Sequence, residues 1–232
     1  MLRNLKADLK KIATPKKAKA SLWFFKTGKG EYGEGDKFIG VSVPEQRKIA
    51  SKYKNLSLVD ISQLLKSKIH EERSVALFIL VKNFQTNESN RSDIFAFYLK
   101  HRKFVNNWDL VDSSADKIVG AYLIEKDKFV LNKLAVSKNI WDRRIAIVST
   151  FYFIKNNKFE ETFRISKILI NDHHDLIHKA VGWMLKEVGK RDEGKLENYL
   201  KVNYKLMPRA MLRFTIEKLS DSKRKKYLSG NI

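Results

Sequence analysis

The chain has 232 residues, 43% of them hydrophobic, with no cysteine and with 47 lysines and arginines against 26 acids, a formal charge of +21. The apolar fraction is enough for a core, three prolines and ten glycines are too few for a turn-rich sandwich or barrel, and the lack of cysteine excludes disulfides and thiolate metal sites and favours a reducing, intracellular setting. A compact domain with this charge repels itself unless it meets a polyanion, nucleic acid first and an anionic membrane surface second. In chain order, residues 2–12 read as a short basic amphipathic helix within an N-terminal helical segment over 1–20. Leu2, Leu5, Leu9 and Ile12 lie on one stripe, and Pro15 ends the helix or opens the next element. The start lacks the apolar core of a signal peptide, and no apolar run reaches about 18 residues, so no membrane span is expected.

Leu22-Trp23-Phe24-Phe25 is an aromatic cluster, followed by a Gly-rich loop over 26–36. Gly28, Gly30 and Gly33 match G-x-G-x-x-G in form only. A dinucleotide fingerprint needs a strand before it and a helix after it, and Asp36-Lys37-Phe38-Ile39-Gly40-Val41 supplies neither. The reading is a mobile basic loop, with Lys26 and Lys29 as candidate phosphate contacts. Val43-Pro44-Glu45-Gln46-Arg47 opens a helix with proline in its first turn. Helices are expected over 44–53, 57–66, 70–84, 90–100, 107–124, 127–137, 140–155, 159–170, 174–190, 193–202, 207–218 and 221–228. No period-2 strand intervenes, so the expectation is one all-α domain over residues 1–232.

The stretch Asn106-Asn107-Trp108-Asp109-Leu110-Val111-Asp112-Ser113-Ser114-Ala115 holds the sharpest pattern. Trp108 and Asp112 stand four apart, on one helical face. With Asn106 as N-cap, Asp109 falls at the third helical position, where a carboxylate suits the dipole. Asp112 is then the carboxylate without a local task, and Asp116, one turn on, is placed to raise its pKa.

A faint repeat runs through the later helices. Arg73-Ser74-Val75-Ala76, Arg143-Arg144-Ile145-Ala146, Lys179-Ala180-Val181 and Arg209-Ala210-Met211-Leu212 each put a basic residue before a small one, and with Ala115 the alanines recur every 30 to 39 residues. Helix pairs at that period predict a HEAT-like helical repeat solenoid, an α-α superhelix whose second helices line a concave face. That face is expected to be basic and to take a duplex backbone through Arg47, Arg73, Arg143, Lys179 and Arg209.

Three tryptophan segments, Trp108-Asp109-Leu110-Val111-Asp112, Ile140-Trp141-Asp142-Arg143-Arg144-Ile145-Ala146-Ile147 and His178-Lys179-Ala180-Val181-Gly182-Trp183, resemble in order and spacing the AlkD family of DNA alkylation repair glycosylases. Phe38-Ile39-Gly40-Val41 through Pro44-Glu45-Gln46-Arg47 looks like that family's N-terminal segment, and the likeness covers about residues 20 to 220. The resemblance implies HEAT-like repeats and excision of N3- and N7-alkylated purines from duplex DNA, with the lesion largely stacked. Residue by residue, it implies that Asp112 is the catalytic aspartate, Arg144 the arginine beside it, and Trp108 and Trp183 the rings flanking the lesion sugar. The sequence departs from the family at the Gly28–Gly35 loop, an apparent insertion, and at Phe24 or Phe25, where the best-known members have tyrosine.

The residue types suit that chemistry by themselves. An alkylated purine is a cationic leaving group and needs no general acid, while an ionised carboxylate near C1′ stabilises the developing positive charge. Arg144 would keep Asp112 ionised, and indole faces attract cationic charge. No lysine nucleophile is required, so a monofunctional glycosylase without lyase activity is expected, acting as a monomer with no cofactor. Trp141 reads as core. His173, His174 and His178 include an i, i+4 pair but no further ligand, so no metal site is expected. The run Lys223-Arg224-Lys225-Lys226 reads as a solvated face before a DNA contact. The place of action expected is the cytoplasm, on the nucleoid. The rival readings are a non-catalytic scaffold that binds DNA or RNA and a protein-interaction scaffold.

Overall fold

The computed structural model describes residues 1–231 as an all-α protein. The chain divides into two compact units, Met1–Ile118 and Val119–Ile232. The first holds α1 (Leu2–Lys11), α2 (Pro15–Phe24), α3 (Val43–Lys52), α4 (Leu58–Leu65), α5 (His70–Thr86), α6 (Arg91–His101) and α7 (Trp108–Ala115). The second holds α8 (Ala121–Leu123), α9 (Phe129–Ala135), α10 (Ile140–Lys155), α11 (Glu160–Ile168), α12 (Asp175–Gly189), α13 (Glu193–Asn203), α14 (Arg209–Thr215) and α15 (Asp221–Ser229). Among the described residues the only extended pairing is a single parallel bridge, Lys37 with Ile69. No helix among them is long and apolar enough to cross a membrane.

The expected helices match these spans to within a few residues, with three exceptions. The N-terminal segment 1–20 is two helices, the first ending at Lys11 as the 2–12 reading expects and the second opened by Pro15 at its first position, one of the two roles expected of that proline. The expected helix 107–124 is interrupted by a π-helical turn, Asp116–Gly120. The expected 207–218 segment is helical only from Arg209 to Thr215.

In the first unit α5 is the axis. Every residue from His70 to Val81 is buried, and α3, α4, α6 and α7 pack around it. Val75 to Val81 are apolar on all sides, which leaves no face for water. Leu5 and Leu9 of α1 are fully buried, each worth about 1.5–3 kcal/mol. On the partly exposed side, Asp8 receives Lys52 Nζ at 2.6 Å and Tyr53 Oη at 2.7 Å, tying α1 to α3. The start of α3 is a capping box: Ser42 N donates to Glu45 Oε2 at 3.1 Å. The loop before it closes onto α5. Glu71 is buried, and its carboxylate accepts from the amides of Ile39 (3.1 Å), Gly40 (2.7 Å) and Val41 (3.4 Å). Gly40 has φ +81°, and a Cβ there would stand 2.1 Å from the Thr14 carbonyl oxygen.

In the second unit α10 and α12 are the core. α9 and α11 flank α10, and α13 and α14 flank α12. Gly182 lets α12 and α14 touch, since a Cβ there would meet Phe214 Cβ at 2.5 Å and Met211 O at 2.7 Å. Asn139 caps α10 by accepting from Trp141 N at 2.8 Å, and Asp192 caps α13 by accepting from Lys195 N at 2.9 Å.

Candidate functional site

The start of α7 carries the first unit's candidate residues. Its N-cap is Asn107, not Asn106: the fully buried Asn107 side chain accepts from Trp108 N at 2.8 Å. Trp108 is therefore the first helical residue and Asp109 the second. The Trp108 indole is half-buried, stacked on Phe25 at 5.5 Å between centroids and meeting Phe24 edge-on at 5.7 Å. Asp112, also half-buried, follows one turn later on the same side of the helix. Asp116 is buried and pairs with Lys117 at 3.1 Å.

Asp109 does more than face the helix dipole. Its Oδ2 lies 2.8 Å from His70 Nε2, and His70 Nδ1 lies 3.1 Å from Asp36 Oδ2. An imidazole with a carboxylate at each nitrogen is placed to donate from both, an arrangement that favours the imidazolium, although Arg73 Nη2 also lies 3.4 Å from Nδ1. Burial opposes that charge, but the hydrogen bonds it donates to Asp109 and Asp36 outweigh it and raise the His70 pKa above the ordinary histidine value. The ring lies against Phe38 at 4.6 Å and Phe25 at 4.9 Å, faces that favour a cation. Asp36 also accepts from Arg73 Nη2 at 2.7 Å and Asn107 Nδ2 at 3.4 Å. Burial pushes the Asp36 carboxyl up, but His70 and Arg73 hold it below the usual range. Three routes thus converge on Trp108: Asn107 before it, Asp109 after it, and Phe25 against its ring.

The second unit's candidate residues sit at the starts of α10 and α12. Trp141 is core, as expected. Arg144 is buried and donates to the Leu176 carbonyl at 2.6 Å. Trp183 is half-buried with its ring 5.6 Å from Phe151. His178 Nε2 lies 2.5 Å from the Asp172 carbonyl oxygen, and His174 Nδ1 accepts from Leu176 N at 3.1 Å.

The basic residues fall into two groups. Arg73 is a correction: it is 3% exposed, with its guanidinium on Asp36 and the Ser67 carbonyl, so it is not presented to a phosphate. The cause is the all-round burial of α5. Arg143 is likewise committed internally, with Nε on Asp172 at 2.6 Å and Nη1 on the carbonyls of Ser137 and Lys138. Arg47, Lys179, Arg209, Lys26 and Lys29 are exposed. Arg47 lies over the Phe78 ring at 4.2 Å, Lys179 pairs with Asp175 at 2.5 Å, and Arg209 donates to the Leu228 carbonyl at 2.9 Å. In the Gly-rich loop, Glu31 accepts from Gly28 N and Glu34 from Gly30 N, both at 2.8 Å. Those amides serve the loop's own carboxylates and form no phosphate cradle.

The sequence reading missed His70, Asp36 and Asn107. Their partners lie 34 to 71 residues away along the chain, beyond any spacing rule.

A family model described as DNA alkylation repair enzyme matches residues 5–219. A solved structure from Enterococcus faecalis, a predicted DNA alkylation repair enzyme, is similar in fold with a TM-score of 0.68. It is 16% identical, over 90% of this chain and 97% of its own, and the likeness shows an all-α helical repeat architecture. No curated protein matches the chain.

Proposed function

The chain belongs to the DNA alkylation repair enzyme family, and from that premise we propose that it is a monofunctional DNA glycosylase releasing N3- and N7-alkylated purines from duplex DNA. The observation that carries the proposal is the start of α7. There a half-buried indole and a half-buried carboxylate share one side of a helix whose first turn is fixed by a buried charged network.

The chemistry runs without a cofactor. The C1′–N bond breaks and its electron pair moves onto the alkylated base, which loses its positive charge. The sugar gains that charge, and the Asp112 carboxylate stabilises it. Water then adds to C1′ and gives up a proton, leaving an abasic site. The Trp108 face packs on the sugar edge and favours the cation. The family resemblance assigns Arg144 the task of holding Asp112 ionised and Trp183 a second flank of the sugar. The exposed cations Arg47, Lys179, Arg209, Lys26 and Lys29 are assigned to the phosphates of duplex DNA, with the protein acting as a monomer.

The test is base release from methylated duplex DNA by wild type and Asp112→Asn at matched protein levels. The expected result is retained duplex binding and loss of most 7-methylguanine excision. Unchanged single-turnover excision would remove Asp112 from the mechanism. Salt-dependent binding with no base release from any adduct, by either protein, would leave a DNA-binding scaffold.

A further inference from the structure

In the second unit, α11 and α13 line a cavity of about 280 Å³. Helical spacing sets the α13 wall: Lys195, Asn198, Tyr199 and Val202 stand at i, i+3, i+4 and i+7 and share one face. Phe163 and Lys167, four apart on α11, supply the other wall. The walls meet in a ring pair, Phe163 stacked on Tyr199 at 5.0 Å between centroids. Val202 is 74% exposed, so the apolar wall is open to a ligand.

The polar lining is made of donors and amides, with no carboxylate. The neighbouring acids on both helices are engaged elsewhere. Glu193 and Glu197 both accept from Lys223 Nζ, at 2.5 and 2.6 Å, and Glu161 pairs with Arg164. Lys167 and Lys195 pair with no carboxylate among the described residues; Lys195 lies over the Phe159 ring at 5.0 Å. Asn203 Nδ2 is spent on the Tyr199 carbonyl at 2.7 Å. Tyr199 is 6% exposed, and its hydroxyl is buried without a hydrogen-bond partner. Such a group forgoes the hydrogen bond that water gave it in the unfolded chain. Burial pushes the phenol pKa above the ordinary tyrosine value, so it keeps its proton at neutral pH and is a donor lacking an acceptor.

These groups select the ligand. Two unpaired ammoniums and one orphaned O–H favour an anion, because a carboxylate oxygen accepts from all three. Phe163, Tyr199 and Val202 favour an apolar body beside the charge. Small-molecule pockets run from about 300 to 1,000 Å³, so this one sits at the small end, with room for one ring. A phosphodiester backbone brings charge without an apolar body and meets only half of the lining.

We propose that this cavity binds a small organic anion of the aryl carboxylate class, its ring against Phe163 and Val202 and its carboxylate accepting from the Tyr199 hydroxyl, Lys167 and Lys195. The site stands whether or not the protein releases bases.

The probe is 4-fluorobenzoate, titrated into the full chain and followed by fluorine NMR. Its comparisons are 4-fluorobenzyl alcohol, which has the ring without the charge, and inorganic phosphate, which has the charge without the ring. Wild type is expected to bind the carboxylate saturably and the alcohol at least several-fold more weakly, and phosphate at equal concentration should not displace the carboxylate. Tyr199→Phe is expected to weaken binding roughly tenfold, the loss of one hydrogen bond to a charged group. Lys195→Ala should lose several-fold, and Asp112→Asn should bind like wild type. Tyr199→Phe keeps the ring stack and removes only the unpartnered hydroxyl, so it should melt no lower than wild type. The site is overturned by absence of saturable binding to wild type, by equal binding of acid and alcohol, or by displacement with phosphate. Binding unaltered in both Tyr199→Phe and Lys195→Ala would overturn it as well.

Discussion

His70 and Asp109 meet at 2.8 Å across 39 residues of chain, and that contact joins the central helix α5 to the first turn of α7. The same imidazole holds Asp36 at 3.1 Å, and Asp36 in turn holds Asn107, the cap of α7. One buried cation therefore fixes both neighbours of Trp108.

Removing that cation should be expensive. His70 is 2% exposed, and His70→Ala leaves two buried or part-buried carboxylates short of a partner. A loss of about 3–5 kcal/mol is expected, the usual cost of breaking a buried pair from one side. Urea unfolding followed by circular dichroism measures it, and a loss below about 1 kcal/mol would mean that the network carries little.

The network also sets a pH dependence. The folded His70 pKa lies above the ordinary value of about 6.5. Its contribution is fully present below that ordinary value and is lost as pH rises through the raised folded value. Asp36 is held below its ordinary value, so its contribution is present above that value and is lost as pH falls through the depressed one. Wild-type stability should therefore decline as pH rises above about 6.5, and His70→Gln should lack that decline. Parallel curves for the two proteins between about pH 6 and 9 would reject it.

The two groups of basic residues should separate in salt titrations. Arg47→Ala, Lys179→Ala and Arg209→Ala each remove an exposed cation. Each is expected to weaken duplex binding and reduce the slope of log affinity against log salt by about one. Arg73→Met should leave the slope unaltered and lower stability, since its guanidinium faces Asp36 inside the protein. A reduced slope in Arg73→Met would contradict its assignment to the interior.

Gly40 is the backbone position least able to accept a side chain. Its φ is +81°, and a Cβ would also stand 2.5 Å from Ala18 N. Gly40→Ala should cost well over 1 kcal/mol, the ordinary penalty for an unsuitable backbone conformation plus the clash with α2. A melting curve indistinguishable from wild type would show that α2 can shift to accommodate the methyl group.

Most helices were legible because their apolar residues repeat with helical spacing and their ends carry caps, as at Ser42, Asn139 and Asp192. α2 was not resolved, for a physical reason. None of its residues is buried, and Trp23 and Phe24 point to water, so no apolar stripe announces the helix. The π-helical turn after α7 leaves no signature in residue spacing. Arg73 was misjudged because periodicity identifies a helix without saying whether any face of it reaches solvent. At α7, the pair Trp108 and Asp112 was legible from four-residue spacing. The His70–Asp36–Asn107 support was not, because its hydrogen bonds span distant segments.

The clasp of Glu71 on Ile39, Gly40 and Val41 has a kinetic side. These amides belong to no helix or ladder, yet their acceptor is a side chain anchored in the most deeply buried helix of the unit. Their protons should exchange with deuterated solvent at rates governed by the opening of α5, slow in a segment whose backbone outline suggests an ordinary fast-exchanging connection.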